Sequence, residues 1–130
     1  MGNYTLNFTI LGELPDLNKI IAAAKKHHMV YSKLKADATN ICRLSCLRLP
    51  RINFKMHLHI IYHCKNKRKD KDNIAVAKKF ILDGLIEAGK IRNDGWKEVE
   101  GWTEEFRVDK NNPRIEVIIN DVIKTDEMDS

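Results

Sequence analysis

The sequence lacks a long hydrophobic segment. Although 43% of its 130 residues are hydrophobic, no apolar run reaches the roughly 20 residues that a membrane-spanning helix needs. A secretory signal is also missing, because the first five residues contain neither a basic segment nor the start of an apolar stretch. These absences argue against a membrane-spanning or secreted protein. We expect a globular protein of the cytoplasm with no membrane partner.

Cysteine is also scarce. The three cysteines, Cys42, Cys46 and Cys64, are odd in number and too loosely spaced for a zinc knuckle or a redox pair. This pattern favours reduced thiols in a reducing compartment. Cys42 and Cys46 lie four residues apart on a predicted helix, which favours packing in the core; metal binding or redox chemistry is the alternative.

Acidic residues are the minority among the charges. The chain has 23 lysines and arginines against 18 aspartates and glutamates, which gives a net charge of +5. Four of the acidic residues fall within residues 121–129, so the rest of the chain is more basic than the total. We expect one folded domain over residues 1–123 and an acidic, disordered tail at 124–130. The charge favours a polyanionic partner, although many proteins of similar charge bind no nucleic acid.

Hydrophobic periodicity predicts four strands and three helices. Alternation of apolar and polar side chains is typical of a half-buried strand, and apolar spacing of about 3.6 residues is typical of a helix. Their order along the chain predicts a single α+β domain, in which helices cover one face of a mixed or antiparallel sheet of about four strands. The predicted strands are residues 3–10, 55–64, 97–108 and 114–119, and the predicted helices follow a cap at Asp16 or Asn18, then span 32–47 and 74–88.

Two groups of side chains near the predicted strands allow more than one interpretation. His57, His59 and His63 project from one face of the second strand, so they form either an exposed or DNA-facing strand surface or part of a metal site. Trp96 and Trp102 flank the third strand, where they can stack on unpaired bases or pack in the core or a dimer.

The loop after the second strand carries the most informative pattern. It places two carboxylates, Asp70 and Asp72, among lysines and arginines, between a strand and a helix. In extended backbone these two side chains point the same way, so they can converge on one hard cation such as Mg²⁺ or Mn²⁺ while the flanking cations attract phosphate. The alternative is that Asp72 or Asn73 only caps the following helix.

Further charged residues follow this loop. Lys79 and Asp83 lie on the side of the predicted helix that faces the loop, although they also have the spacing of an ordinary ion pair. Asp94 occupies the next loop, where Asn93-Asp94-Gly95 has the composition of a tight turn. Three carboxylates in two loops that flank one helix form a more specific pattern than any one of them.

These motifs resemble the RusA family of Holliday junction resolvases. The similarity rests on the order of a basic loop, Asp70-Lys71-Asp72-Asn73, a helix with residues 79–85 in the pattern Lys-x-x-x-Asp-Gly-Leu, and the turn at Asn93-Asp94. It is strongest over residues 65–100. Val76 stands where some members have a lysine, so the Lys-x-x-x-Asp spacing selects Lys79, with Lys78 as its rival.

The resemblance implies a homodimeric, Mg²⁺-dependent endonuclease that nicks two opposed strands of a four-way DNA junction, with Mn²⁺ as a substitute ion and no small-molecule cofactor. By carry-over, Asp70, Asp72 and Asp94 would be metal-binding catalytic carboxylates and Lys79 the lysine of the catalytic site. A non-cleaving protein that binds branched DNA and a nuclease for flaps or simple branches are the alternatives. The residues expected to bind DNA are Lys67, Arg68, Lys69, Lys71, Asn73 and Lys78.

Overall fold

A computed structural model describes residues 5–122 of the chain as eight helices and strands. β1 and β4 have the alternating burial that the sequence predicts, whereas residues 60–64 of β2 are all buried. α1 begins at an Asp16 cap whose side chain accepts the Lys19 N–H at 2.8 Å. The elements are β1 (Thr5–Leu11), α1 (Leu17–Lys26), α2 (His28–Ser45), β2 (Met56–Cys64), α3 (Lys71–Ala75), α4 (Ala77–Glu87), β3 (Val99–Val108) and β4 (Arg114–Asp121).

The four strands form one open mixed sheet in the order β1-β4-β2-β3. β4 pairs antiparallel with β1 and β2, whereas β3 runs parallel to β2. Because parallel neighbours need a crossover, the segment α3-α4 returns the chain along β2 before β3 begins. Both parallel strands therefore end at the same edge of the sheet, with Cys64 opposite Val108.

The core lies between the helices and one face of the sheet. Apolar side chains of β1, β2 and β4 alternate onto this face, and α2 and α4 pack over it. Gly84 allows the two helices to approach closely, because a Cβ there would lie 2.5 Å from Cys42 Cβ. Cys42, Cys46 and Cys64 are buried free thiols, which confirms core packing, and burial raises the pKa of Cys42 to about 12. The α+β class and the single domain are confirmed.

The predicted third helix is wrong in two respects. It begins at Lys71 rather than near residue 74, because the Asp70 carbonyl already accepts the N–H groups of Asn73 and Ile74 at 3.1 and 3.2 Å. It is also interrupted at Val76, which separates α3 from α4. Asp72 therefore lies in a helical turn rather than in extended backbone, and the expectation that Asp70 and Asp72 are paired by strand geometry is overturned.

The other differences concern the ends of elements. α2 begins at His28, four residues before the predicted start, where the His27 ring accepts the Met29 N–H at 3.1 Å. α4 ends as expected at a glycine: Gly89 has φ +73°, and the Lys90 N–H reaches back to the Leu85 carbonyl at 3.0 Å. No helix within residues 5–122 has the length and apolar character needed to cross a membrane. The predicted disordered tail, 124–130, lies outside the described residues.

Candidate active site

Asp70 and Asp72 lie together on the wall of an open cleft of about 920 Å³ at the edge where β2 and β3 end. Asp70 is the residue before α3, and Asp72 belongs to the first turn of that helix. Asp70 uses its backbone rather than its side chain to cap α3. Both residues are exposed, and within residues 5–122 neither carboxylate has a hydrogen-bond or ion-pair partner. The two acids are thus available to an external ligand.

Cationic side chains outnumber these acids in the cleft. Lys71 extends over the Phe106 ring, with its Nζ 5.7 Å from the ring centroid, so an aromatic side chain of β3 supports it. Arg107 reaches the cleft from the penultimate position of β3. Two carboxylates inside a positive rim can attract a polyanion and still hold a cation. The cationic lining residues are Lys67, Lys69, Lys71 and Arg107.

Lys69 fixes the cleft loop to the start of α1. Its ammonium lies 2.9 Å from an Asp16 carboxylate oxygen and 3.9 Å from Glu13. The hydrogen bond to Asp16 raises the pKa of Lys69 above its ordinary value. Burial would raise the pKa of the Asp16 carboxyl, but the hydrogen bonds from Lys69 and the Lys19 N–H hold that pKa below its ordinary value. Of the residues expected to bind DNA, Lys69 is therefore already committed to a structural ion pair.

Three other expected site residues are engaged elsewhere. Asn73 Oδ1 accepts the Asn18 N–H at 3.0 Å and so connects α3 to α1. Lys78 contacts β3, with its Nζ 3.2 Å from Glu104 and 4.7 Å from the centroid of Trp102. Lys79 pairs with Asp83 at 3.2 Å along α4. Neither Lys78 nor Lys79 lines the cleft, because the break at Val76 separates α4 from the turn that carries Asp72.

Asp94 lies at the opposite end of the parallel strands. It lines a separate hollow with Trp96, Trp102 and the first residues of β3, where Val99 is opposite Met56. β2 has nine residues, so its two ends are eight residue steps apart, which is about 26 Å at roughly 3.3 Å per residue. A single chain thus brings Asp70 and Asp72 together but leaves Asp94 apart. Trp96 is 95% exposed, so the alternative that it packs in the core of this chain is wrong.

Arg107 and Phe106 are cleft residues that the sequence reasoning missed. Both lie near the C-terminal end of β3, just before Asp109, in a segment that carries no recognisable motif. Their place beside the Asp70 loop depends on the parallel pairing of β2 and β3. The only signal in the sequence was the helix between the two strands, because a strand-helix-strand order is typical of a parallel crossover.

The three histidines of β2 lie on the sheet face opposite the helices, and each one contacts a carboxylate. His57 Nδ1 lies 2.7 Å from Glu100, His59 Nε2 2.7 Å from Glu105, and His63 Nε2 2.6 Å from Glu116. His63 is buried, whereas the side chains of His57 and His59 keep about a quarter of their surface exposed. This face is therefore an ordered polar network rather than a row of unengaged side chains.

A comparison with models of protein families finds no match to this chain, and a search of curated proteins finds none either. The chemistry of the cleft therefore rests on its own residues. Mg²⁺ is commonly held by one or two carboxylates together with water and substrate phosphates, so Asp70 and Asp72 are a sufficient protein contribution. Residues 5–122 contain no cluster of three or more metal-ligating side chains, which agrees with the separate position of Asp94.

Proposed function

We propose that this protein is a Mg²⁺-dependent endonuclease that cleaves four-way DNA junctions in the cytoplasm. The observation that carries the proposal is the pair of carboxylates, Asp70 and Asp72, which have no partner among residues 5–122 and lie in a cleft lined by four cationic side chains. A protein that only binds phosphate gains nothing from acids at that place, since uncompensated carboxylates repel DNA. A nuclease needs them to hold a cation.

Attack on a phosphodiester adds negative charge to a centre that is already anionic, so positive charge must gather around it. When bound, Mg²⁺ supplies such charge and activates water for attack. Asp70 and Asp72 would hold the ion, while Lys67 and Lys71 would hold the backbone phosphates on either side. Arg107, which is paired with Glu105 at 2.7 Å, would be a third cation beside them. We expect products with 5′-phosphate and 3′-hydroxyl ends.

The selection of four-way junctions and the homodimer belong to the proposal as well. A two-fold dimer presents two equivalent clefts, and a four-way junction offers two opposed strands related by the same symmetry. Asp94 fits this arrangement in one way only. Because Asp94 lines a hollow at the opposite end of β2 and β3 from Asp70, and β2 is about 26 Å long, an ion held by all three carboxylates requires Asp94 from the second copy.

The first experiment measures cleavage of an end-labelled mobile four-way junction by the wild type and by Asp70→Asn, with Mg²⁺ or with a chelator. We expect the wild type to make paired, symmetric nicks that disappear with chelator, and Asp70→Asn to lose at least about 100-fold in rate. Asp37→Asn is the matched control, because Asp37 is an exposed acid whose Lys33 pair lies on α2. Asp70→Asn should still bind the junction, since it removes a negative charge.

The same assay separates the two alternative functions. The second candidate is a protein that binds branched DNA without cleaving it. It is favoured because Lys69 and Lys79 are already held in ion pairs and Asp94 lies apart from Asp70 and Asp72. Junction binding without nicks under Mg²⁺ or Mn²⁺ would establish that candidate and exclude the nuclease. Nicks in a flap or three-way substrate, with none in the four-way junction, would instead indicate a flap nuclease.

A further inference from the structure

The sheet face opposite the helices carries a continuous hydrogen-bonded network of five side chains across β2 and β3. It begins at Glu100, passes through His57 to the Thr103 hydroxyl, and continues through His59 to Glu105. His57 Nε2 lies 3.1 Å from Thr103 Oγ1, and His59 Nδ1 lies 2.5 Å from the same oxygen. Two ring nitrogens therefore converge on one point between them.

Two neutral imidazoles and one hydroxyl cannot supply all four hydrogen bonds of this network. Four hydrogen bonds require four protons, and the two carboxylates at the ends can only accept. Two neutral imidazoles supply one N–H each, and the Thr103 hydroxyl supplies the third proton. With each N–H given to its carboxylate, both inner nitrogens present lone pairs to Thr103, whose single proton satisfies one of them. In this neutral state the centre of the network has room for one further positive partner, which is either a proton on one imidazole or a metal ion bound by both.

We propose that His57 and His59 form a binding site for a transition-metal ion of the Zn²⁺ class, placed where the Thr103 hydroxyl now lies. A metal ion accepts lone pairs from both inner nitrogens at once, so the deficit disappears and neither imidazole needs an additional proton. Neutral imidazole favours Zn²⁺, Ni²⁺ and Cu²⁺, whereas carboxylate and water favour Mg²⁺. The site is therefore distinct in chemistry and in place from the Asp70-Asp72 cleft.

The surroundings have the form that such ions require. Metal-ligating histidines usually donate their other ring N–H to a carboxylate, which fixes the ring and its tautomer, and Glu100 and Glu105 already occupy those positions. His57 and His59 are two residues apart on β2, so their rings leave the same face of the sheet. Zinc-nitrogen distances near 2.0–2.1 Å require the His57 ring to move inward by about 1 Å while Thr103 rotates away.

The protein supplies two ligands at this site, and the partial exposure of both rings leaves the remaining positions to water or an external ligand. Two ligands are fewer than the three or four of dedicated zinc centres. Within the described residues no third ligating side chain completes the set. We therefore expect measurable but moderate affinity, and an ion that exchanges with solution. The inference goes beyond the proposed nuclease and does not depend on it.

Calorimetric titration of tag-free protein with Zn²⁺ tests the proposal directly. We expect one ion per chain in the wild type, and a loss of at least about tenfold in affinity in both His57→Gln and His59→Gln. Glutamine can still donate to Glu100 or Glu105, so these variants keep the outer hydrogen bond. His28→Gln, an exposed histidine elsewhere, is the control that should bind as the wild type does, and Asp72→Asn reports whether the ion lies in the cleft instead.

Two further measurements keep the test independent of folding. Circular dichroism without metal must show that the histidine variants are folded, and Co²⁺ bound to the wild type should give visible absorption bands that are absent from both variants. Thr103→Val removes the competing hydroxyl and should bind Zn²⁺ at least as tightly as the wild type. Zn²⁺ binding that survives both histidine variants, that is lost in Asp72→Asn, or that is lost in folded Thr103→Val would overturn the proposal.

Discussion

Side chains of the same type have different roles around the cleft, and the difference follows from their neighbours. Lys69 is held by Asp16 and Glu13, so it contributes to the fold, whereas Lys67 has no ion-pair partner within residues 5–122. Asp16 itself is buried and receives two hydrogen bonds, while Asp70 and Asp72 are exposed and receive none through their side chains. A buried charge that lost its partner would be costly. We therefore assign Asp16 and Lys69 to stability, whereas Asp70 and Asp72 are the carboxylates that the proposed nuclease would use.

Replacement of Asp16 by alanine should lower the free energy of unfolding by about 1 to 2 kcal/mol, because it removes the cap of α1 and leaves Lys69 without its main partner. Urea denaturation measures this change. Asp37→Ala, which breaks only an exposed pair on α2, should change stability by less than about 0.5 kcal/mol. Equal effects of the two substitutions would contradict the structural role of Asp16.

The same ion pair gives stability a defined dependence on pH. The pKa of Asp16 is lower in the folded chain than its ordinary value of 3.8, so the folded state holds fewer protons in that range. Its contribution is complete well above pH 3.8 and is lost as the pH falls through the lower, folded value. Acid denaturation of the wild type should therefore be steeper below pH 4 than that of Asp16→Ala.

At the level of elements, periodicity predicted the strands and helices well, but it did not predict where α3 starts or how β3 pairs. Alternation is a local pattern, so it identified Met56, Leu58 and Ile60 as core-facing side chains of β2, but it did not predict that Ile61 and His63 on the other face are also buried. The start at Lys71 depends on hydrogen bonds to the Asp70 carbonyl, for which no residue type is diagnostic. The parallel pairing of β2 and β3 joins residues that are far apart in sequence, so it depends on tertiary structure and not on a local pattern. For that reason Arg107 was missed and Asp94 was expected near Asp70.

The contact between α2 and α4 gives a prediction of its own. Gly84→Ala should destabilise the protein by about 1 to 3 kcal/mol, because the added methyl would meet Cys42 Cβ at 2.5 Å and the Arg43 backbone nitrogen at 2.8 Å. Alanine improves helix propensity by about 1 kcal/mol, but a clash with backbone requires α2 to shift as a whole. Thermal unfolding compares this variant with Gly101→Ala, where nothing lies within 4 Å. A stabilised Gly84→Ala would contradict the close helix contact.

Across the whole molecule, the cleft of Asp70 and Asp72 and the hollow of Asp94 lie at opposite ends of the β2-β3 pair. The cleft of Asp70 and Asp72 includes the last residues of β3, and the hollow of Asp94 includes its first residues. β3 is an edge strand, and the exposed Trp96 stands beside Asp94. If the proposed nuclease uses all three carboxylates, the functional unit is not one chain but two, and the site could not be assembled by reasoning about a single fold.

Mixed dimers decide whether Asp94 acts on the second copy. A dimer of Asp70→Asn with Asp94→Asn contains one cleft with both substitutions and one cleft with none, provided that Asp94 crosses between copies. Each variant alone should therefore be inactive, whereas mixed dimers purified through two different tags should nick one strand of each junction. Mixed dimers of Asp70→Asn with Asp72→Asn are the control, because each cleft then carries one of the two changes and no cleft is left intact. Inactive mixed dimers of Asp70→Asn with Asp94→Asn, or full activity of Asp94→Asn alone, would exclude this role for Asp94. The role of Asp70 and Asp72 would still be decided by the junction cleavage assay.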